Sequence, residues 1–165
     1  MKHLMIYDLD RTVIDSSDRY ATLENGDIDL PFWKANCTPE NISRDTLLPL
    51  SSLMAYHYSI KGNMVAICTA RVMSPYDWLY LNNNRSKIPF HYAMHRPEGC
   101  TTPDAELKKI QILKLIKELD LSPFELQNKV TVYDDNPTVL KMCDSLGIKN
   151  HCSIKLNSQF RKTAS

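Results

Sequence analysis

Three short apolar runs constrain this chain most. They are Leu4-Met5-Ile6-Tyr7, Met64-Val65-Ala66-Ile67-Cys68 and Val130-Thr131-Val132-Tyr133, followed at once by Asp8, Thr69 and Asp134. Runs this short, apolar throughout instead of alternating, fit strands covered on both faces, as in a parallel sheet. Phe90-His91-Tyr92-Ala93-Met94 and Lys149 to Ile154 read as weaker strands. Helical periods alternate with them over 44–58, 104–119 and 137–146, with Gly147 placed as a C-terminal stop. Thr102-Pro103-Asp104 reads as an N-cap with proline at the first helical position. Strand–helix alternation predicts an α/β protein with a parallel sheet and right-handed crossovers. Such sheets bind ligands at the carboxyl ends of their strands, where Asp8, Thr69 and Asp134 would converge.

Size and composition agree. The 165 residues, 43% hydrophobic and 24% charged with a net charge of +1, predict one compact globule and exclude disorder as the main state. The expected domain covers 1–156, with 14–43 as a small cap or lid insert and 157–165 as a frayed polar tail. Loops are expected near 36–43 and 95–104. No apolar run approaches the ~20 residues of a membrane span. The apolar start is too short for a signal peptide, so the expected location is the cytoplasm, the host's if the origin is viral. The five cysteines, Cys37, Cys68, Cys100, Cys143 and Cys152, form no CxxC pair and predict neither zinc site nor disulfide framework. Cys68 reads as a small buried hydrophobe. Near-neutral charge argues against coating long stretches of nucleic acid, but not against gripping one phosphate or a chain end.

The strand ends carry the chemistry. Asp8 and Asp10, two residues apart, allow one carboxylate to attack while the other handles protons. A carboxylate attacking a phosphate dianion needs a cation between them, and Mg²⁺ takes oxygen ligands. Asp134-Asp135 adds two acids whose burial a cation would offset. Thr69, Ala70 and Arg71 offer a hydroxyl, backbone N–H groups and a guanidinium to phosphate oxygens. Lys108 or Lys109 would balance the charge; neighbouring helix positions face about 100° apart, so only one points inward.

In order and in strand context, Asp8-x-Asp10-x-Thr12, Thr69, Lys108 and Asp134-Asp135 resemble the four motifs of the haloacid dehalogenase superfamily, over residues 4 to 135. The resemblance implies an α/β, Rossmann-like three-layer sandwich with a mainly parallel five-stranded sheet and, here, a minimal cap. It implies Asp8 as nucleophile, Asp10 as general acid and base, and Thr69 and Lys108 on the phosphoryl oxygens. It implies Mg²⁺ held by Asp8, the backbone carbonyl of Asp10, and Asp134 supported by Asp135. The second Asp of the pair resembles the phosphatase branch. Arg11 stands where the family usually has glycine, and its side chain is expected to project toward substrate. The spacing of Arg96, Gly99, Asp104 and Lys108 is similar to the 3′-phosphatase domain of bacteriophage polynucleotide kinase-phosphatases; this resemblance selects Lys108 over Lys109 and makes Arg96 an expected substrate-binding residue. Cys100 and Thr102 depart from that pattern, and no GxxxxGK[ST] sequence is present.

The expectation is therefore a Mg²⁺-dependent phosphatase acting on a 3′-phosphate of a nucleic-acid end. A nucleotidase for free nucleoside monophosphates is the alternative, and a silent phosphate-binding module is the reading from another class. No membrane and no stable protein partner is inferred, although an open site also suits an oligomer whose neighbour closes it. Several residues carry second readings. Arg71 is equally a surface salt-bridge residue. Asp135 is equally a helix cap. Trp33 reads first as packing and second, with Phe32 and Tyr20, as a base platform. His57, His91 and His95 show no metal spacing, and Arg161-Lys162 reads as a solvated tail.

Overall fold

The computed structural model describes residues 1–163. The chain runs β1 (Leu4–Tyr7), β2 (Ile14–Asp15), α1 (Leu30–Asn36), α2 (Pro39–Ser43), β3 (Thr46–Leu47), α3 (Leu50–Ser59), β4 (Met64–Val72) and α4 (Pro75–Asn83). It continues through β5 (Tyr92–Arg96), α5 (Asp104–Glu118), α6 (Pro123–Lys129), β6 (Val130–Asp134), α7 (Pro137–Ser145), β7 (Lys149–Cys152) and α8 (Ser153–Thr163). Five strands form one sheet in the order β5-β4-β1-β6-β7, and every pairing is parallel. The parallel α/β sheet expected from the apolar runs, and the three-layer sandwich that the resemblance implies, are the observed fold.

Strand alternation sorts the core into two layers. Leu4, Ile6, Ala66, Cys68, Val130 and Val132 face Ile112, Leu115 and Ile116 of α5 and Val139 and Cys143 of α7. Met5, Tyr7, Val65, Ile67 and Tyr133 face Leu50 and Met54 of α3 and Leu81 of α4. Both faces of β1 are thus covered, which is why it reads as continuous apolar sequence. Register aligns Tyr7 with Ile67 and with Tyr133, so the residues that follow leave the sheet side by side.

Five expectations need correction. The helix placed at 44–58 begins at Leu50, because 46–47 pairs with 14–15 as a short antiparallel ladder. The loop at 36–43 contains α2, started by the Thr38 hydroxyl accepting from the Asn41 N–H and by Pro39. The loop expected at 95–104 begins only after Arg96 of β5, and Thr102 does not cap α5, whose N-cap is Pro103. The tail expected from 157 is α8 as far as it is described. Ser153 and Asn157 are buried in it; Asn157 Oδ1 accepts from the Leu50 N–H at 2.9 Å and its Nδ2 donates to the Thr12 carbonyl at 3.0 Å. Polar residues anchor this helix, and Leu156 is, among the described residues, its one side chain packed against the core cluster, so its sequence carries only a weak apolar signal of docking.

Asn157→Ala would leave a helix N–H and a loop carbonyl unpaired inside the protein. The expected cost is ~2–3 kcal/mol, a fall of roughly 4–12 °C in melting temperature. Scanning calorimetry checks it, and an unchanged melting temperature would mean that α8 does not hold the Thr12 loop.

Candidate active site

Asp8 follows β1 directly, and its N–H donates to the Tyr133 carbonyl at 2.9 Å. The chain then turns tightly, with the Leu9 carbonyl accepting from the Thr12, Val13 and Ile14 N–H groups. Arg11 takes the left-handed conformation in this turn, at φ 57°. That is the geometry a glycine would adopt without strain.

Asp8, Asp134 and Asp135 are buried, and each offers an oxygen within 4.8 Å of the others. Lys108, on the buried face of α5, places Nζ 2.8 Å from Asp8 Oδ1 and 2.7 Å from Asp134 Oδ2. Lys109 is exposed. Asn136 caps α7, its side chain accepting from the Thr138 N–H, which leaves Asp135 free of the capping role. Arg11 reaches Asp135 at 3.3 Å from the half-exposed side.

Three carboxylates thus face one buried ammonium. Burial raises the Asp8 carboxyl well above the ordinary range; Lys108 opposes this, and Asp134, Asp135 and Asp10 add to it. Burial, then Asp134, pushes Asp135 up to about 6. Lys108 is opposed first by desolvation, yet Asp134 and Asp8 together hold its ammonium well above the ordinary lysine range. An all-oxygen donor set with an excess of negative charge fits a hard divalent cation such as Mg²⁺.

Asp10 lies in a second network. Its Oδ2 accepts from Arg71 Nε at 3.0 Å, while Oδ1 takes Arg71 Nη2 and the Ser16 hydroxyl. Arg71 also donates to Asp77 at 3.0 Å. Arg19 pairs with Asp77 at 2.8 Å and with Asp45. Both guanidiniums stack on Trp33, at 4.4 and 4.7 Å from its ring centroid. Arg19 and Asp45 had no local sequence signal, and the capping-box position of Asp77 gives no hint of its ion pairs.

Several expected site residues therefore change role. Arg71 is 1% exposed and positions Asp10, so it is neither a surface residue nor a free phosphate ligand. Arg96 is also 1% exposed and fully engaged inside: it donates to the Ala70 carbonyl at 2.7 Å, the Thr102 carbonyl at 2.7 Å and Asp104 at 2.6 Å. It braces the loop before α5 and does not face the acids. Trp33 is 2% exposed, which removes it as a base platform. Thr69 is buried and its hydroxyl accepts from the Arg71 N–H at 3.3 Å. Ala70 packs against Trp33 and Ile28, and half-buried Tyr20 joins that cluster. Burial, with Asp135, Asp8 and Asp10 nearby, raises the Tyr20 phenol, so this ring borders the acids.

Acids at the ends of adjacent parallel strands, a lysine from the following helix and a carboxylate pair at the end of β6 are set on a haloacid dehalogenase-like fold. The fold is similar to a haloacid dehalogenase-like hydrolase of Streptococcus pneumoniae, with TM-score 0.63 and 12% identity over 94% of this chain and 90% of that one. It is also similar to a chain of the Pnkp1/Rnl/Hen1 RNA repair complex, with TM-score 0.59 and 18% identity over 92% of this chain and 42% of that one. Residues 1–95 match the family model of bacteriophage T5 5′-deoxynucleotidase, and the chain belongs to that family. The 5′-deoxynucleotidase of Escherichia phage T5 is 39% identical over 84 residues, which cover 49% of this chain and 34% of that protein. This chain thus spans about a third of that relative's length. The family match includes Asp8, Asp10, Thr69 and Arg71 and ends before Lys108, Asp134 and Asp135.

Arg71→Met would leave Asp10 and Asp77 buried with one cation fewer. The expected cost is about 3–5 kcal/mol, read as a drop in denaturation midpoint; a neutral result would show that the network does not need its central guanidinium. A second test is pH. Asp135 holds its proton to a higher pH folded than unfolded, so its ionisation destabilises the metal-free fold as pH rises through about 6. The stability of the wild type minus that of Asp135→Asn, measured in chelator, is expected to fall as pH rises from 3.8 to about 6 and to level off above that. Half-buried His57 and His151, whose lowered pKa values act in the opposite direction, cancel in that difference. A flat difference would contradict the assigned environment.

Proposed function

We propose that this chain is a Mg²⁺-dependent phosphomonoesterase of nucleotides that works through an aspartyl-phosphate on Asp8. Deoxynucleoside 5′-monophosphates are the leading substrates. The observation that carries the reading is the placement of Asp8 between Lys108 and the Asp134–Asp135 pair, beside a separately held Asp10. A phosphate-binding module needs no second carboxylate clamped next to the first. The 5′-deoxynucleotidase relative favours free nucleotides over the 3′-phosphorylated end that the Arg96 spacing pointed to, since Arg96 is taken up inside the protein.

In this reading an Asp8 oxygen attacks phosphorus and the ester P–O bond breaks. The departing oxygen takes a proton from Asp10 and leaves as the alcohol. Water then attacks the acyl phosphate and gives a proton to Asp10; the P–O bond to Asp8 breaks, freeing phosphate and restoring the carboxylate. Asp8, Asp134, Asp135 and the Asp10 carbonyl would hold Mg²⁺, which supplies positive charge between the attacking carboxylate and the phosphate dianion. Lys108 and Thr69 hold phosphoryl oxygens. Arg71 and Ser16 orient Asp10 by bonding both of its oxygens. Donating a proton in the first step requires Arg71 to release one oxygen.

A second reading, a phosphate at a nucleic-acid end, draws on the half-exposed Arg11 at the cleft and on the short insert. Phosphate release from deoxynucleoside and ribonucleoside monophosphates, and from 5′- and 3′-phosphorylated oligonucleotides, separates the two. With Mg²⁺ present, deoxynucleoside 5′-monophosphates are expected to be hydrolysed, and Asp8→Asn to lose at least about 10³-fold in kcat. Chelator is expected to abolish turnover in the wild type. Full activity in Asp8→Asn, or no release from any substrate, would sink the proposal.

A further inference from the structure

Helix α8 is fastened to the turn that follows Asp8. The Thr12 hydroxyl donates to Ser153 Oγ at 2.9 Å, and Asn157 donates to the Thr12 carbonyl at 3.0 Å. Ser153, Asn157 and Arg161 follow at spacings of four, so the helix face anchored on this turn also presents Arg161. A groove of about 480 Å³ lies between the helix and the turn, lined among others by Arg11, Asp15, Ser158, Arg161 and Lys162. A neighbouring depression of about 570 Å³ shares Leu48 and Arg161 and adds Lys87, Ser51 and Ser52. Among the described residues that line the two depressions, Arg11, Lys87, Arg161 and Lys162 are the cations and Asp15 is the one acid. This local excess stands out in a chain whose net charge is +1.

Arg11 belongs to both regions. It meets Asp135 of the acid cluster at 3.3 Å and also lines the groove, with its side chain 48% exposed. From Ser153 to Arg161 the helix advances about 12 Å. That is the rise of three to four stacked nucleotides at about 3.4 Å each. A single nucleotide held at Asp8 would not extend so far. Exposed Ile154 adds apolar surface beside the cations, as a strand of sugars and bases would use.

We propose that this basic groove carries the phosphodiester backbone of a single-stranded oligonucleotide whose terminal phosphate lies at Asp8. The inference rests on the phosphomonoesterase reading and extends its substrate class from free nucleotides to phosphorylated chain ends. Arg11 takes the phosphate next to the terminal one, and Arg161, Lys162 and Lys87 take those beyond it. Serine hydroxyls along the groove add neutral donors.

The test compares the wild type with the Arg161→Glu/Lys87→Glu double variant. Two substrates are used: a deoxynucleoside 5′-monophosphate, and a hexadeoxynucleotide phosphorylated at its 5′ or its 3′ end. The quantity read is the ratio of kcat/KM for the hexamer to that for the monophosphate. Reversing the two charges is expected to lower this ratio about tenfold or more. It should also flatten the salt dependence of hexamer turnover by about 0.7 in log–log slope for each phosphate no longer neutralised. An unchanged ratio with an unchanged slope would overturn the groove while leaving the phosphomonoesterase reading intact. If no substrate is hydrolysed, that reading fails by itself. The groove is then judged by fluorescence anisotropy of the labelled hexamer, where the double variant should raise Kd about tenfold and an equal Kd would overturn it. Arg161→Gln, a milder change on an exposed helix end, repeats the measurement should the double variant melt early.

Discussion

Everything at the candidate site depends on one buried ammonium. Lys108 donates to Asp8 and to Asp134, side chains delivered by adjacent parallel strands, from a helix on the far side of the crossover. Without it, three carboxylates would stand together in a buried place, which is unfavourable by several kcal/mol for each uncompensated charge. With it, and with Arg11 paired to Asp135, the cluster still carries one negative charge more than positive. That shortfall is the chemical reason why a divalent ion belongs to the reading. A site with its charge already balanced would have little to attract Mg²⁺ and little to offer a phosphate. The lysine makes the acids tolerable in the fold, and the remaining deficit makes them useful.

The two carboxylates of the Asp8–Asp10 pair are separated electrically as well as spatially. Asp8 shares its cation with metal-type ligands, whereas Asp10 has Arg71 and the Ser16 hydroxyl as its own partners. Arg71 in turn is fixed by Asp77, stacked on Trp33 and backed by Arg19 and Asp45. Asp8 and Asp10 thus have different partners, and those of Asp10 belong to an ion-pair lattice reaching through the insert, α1 and the start of α4.

The sheet was legible because its strands are covered on both faces and so read as unbroken apolar runs. The acids were legible because they sit where those runs stop. Lys108 was separable from Lys109 only by its spacing from Arg96, and burial agrees with that choice. The Arg19–Asp45–Asp77–Arg71 lattice was not legible. Its members lie up to 58 residues apart in the sequence, and a contact between distant ionic residues leaves no local period. Helices α4 and α6 left a signal that periodicity missed. Ser74-Pro75-x-Asp77 and Ser122-Pro123-x-Glu125 are capping boxes with proline at the first turn. Helix α8 was hidden by the opposite cause: its anchors, Ser153 and Asn157, are polar, so burial and sequence polarity point in different directions.

The insert between β1 and β4 is tied into the loops of the candidate site. The Asp104 N–H donates to Asp27 at 3.2 Å and the Ile28 N–H returns a bond to Asp104 at 2.7 Å, next to the Arg96–Asp104 pair. Asn136, immediately after the acid pair, donates to the Gly26 carbonyl at 3.0 Å. A segment bonded to the start of α5 and to the start of α7 shares its position with Lys108 and with Asp135. It shapes the mouth of the site without being a separate body that must swing aside. Opening is then available along the other rim, past Arg11, where the turn is held by α8 instead of by the insert. The left-handed arginine fits this geometry: glycine would make the same turn with less strain, but only a side chain at that position can join the acid cluster to the groove along the helix.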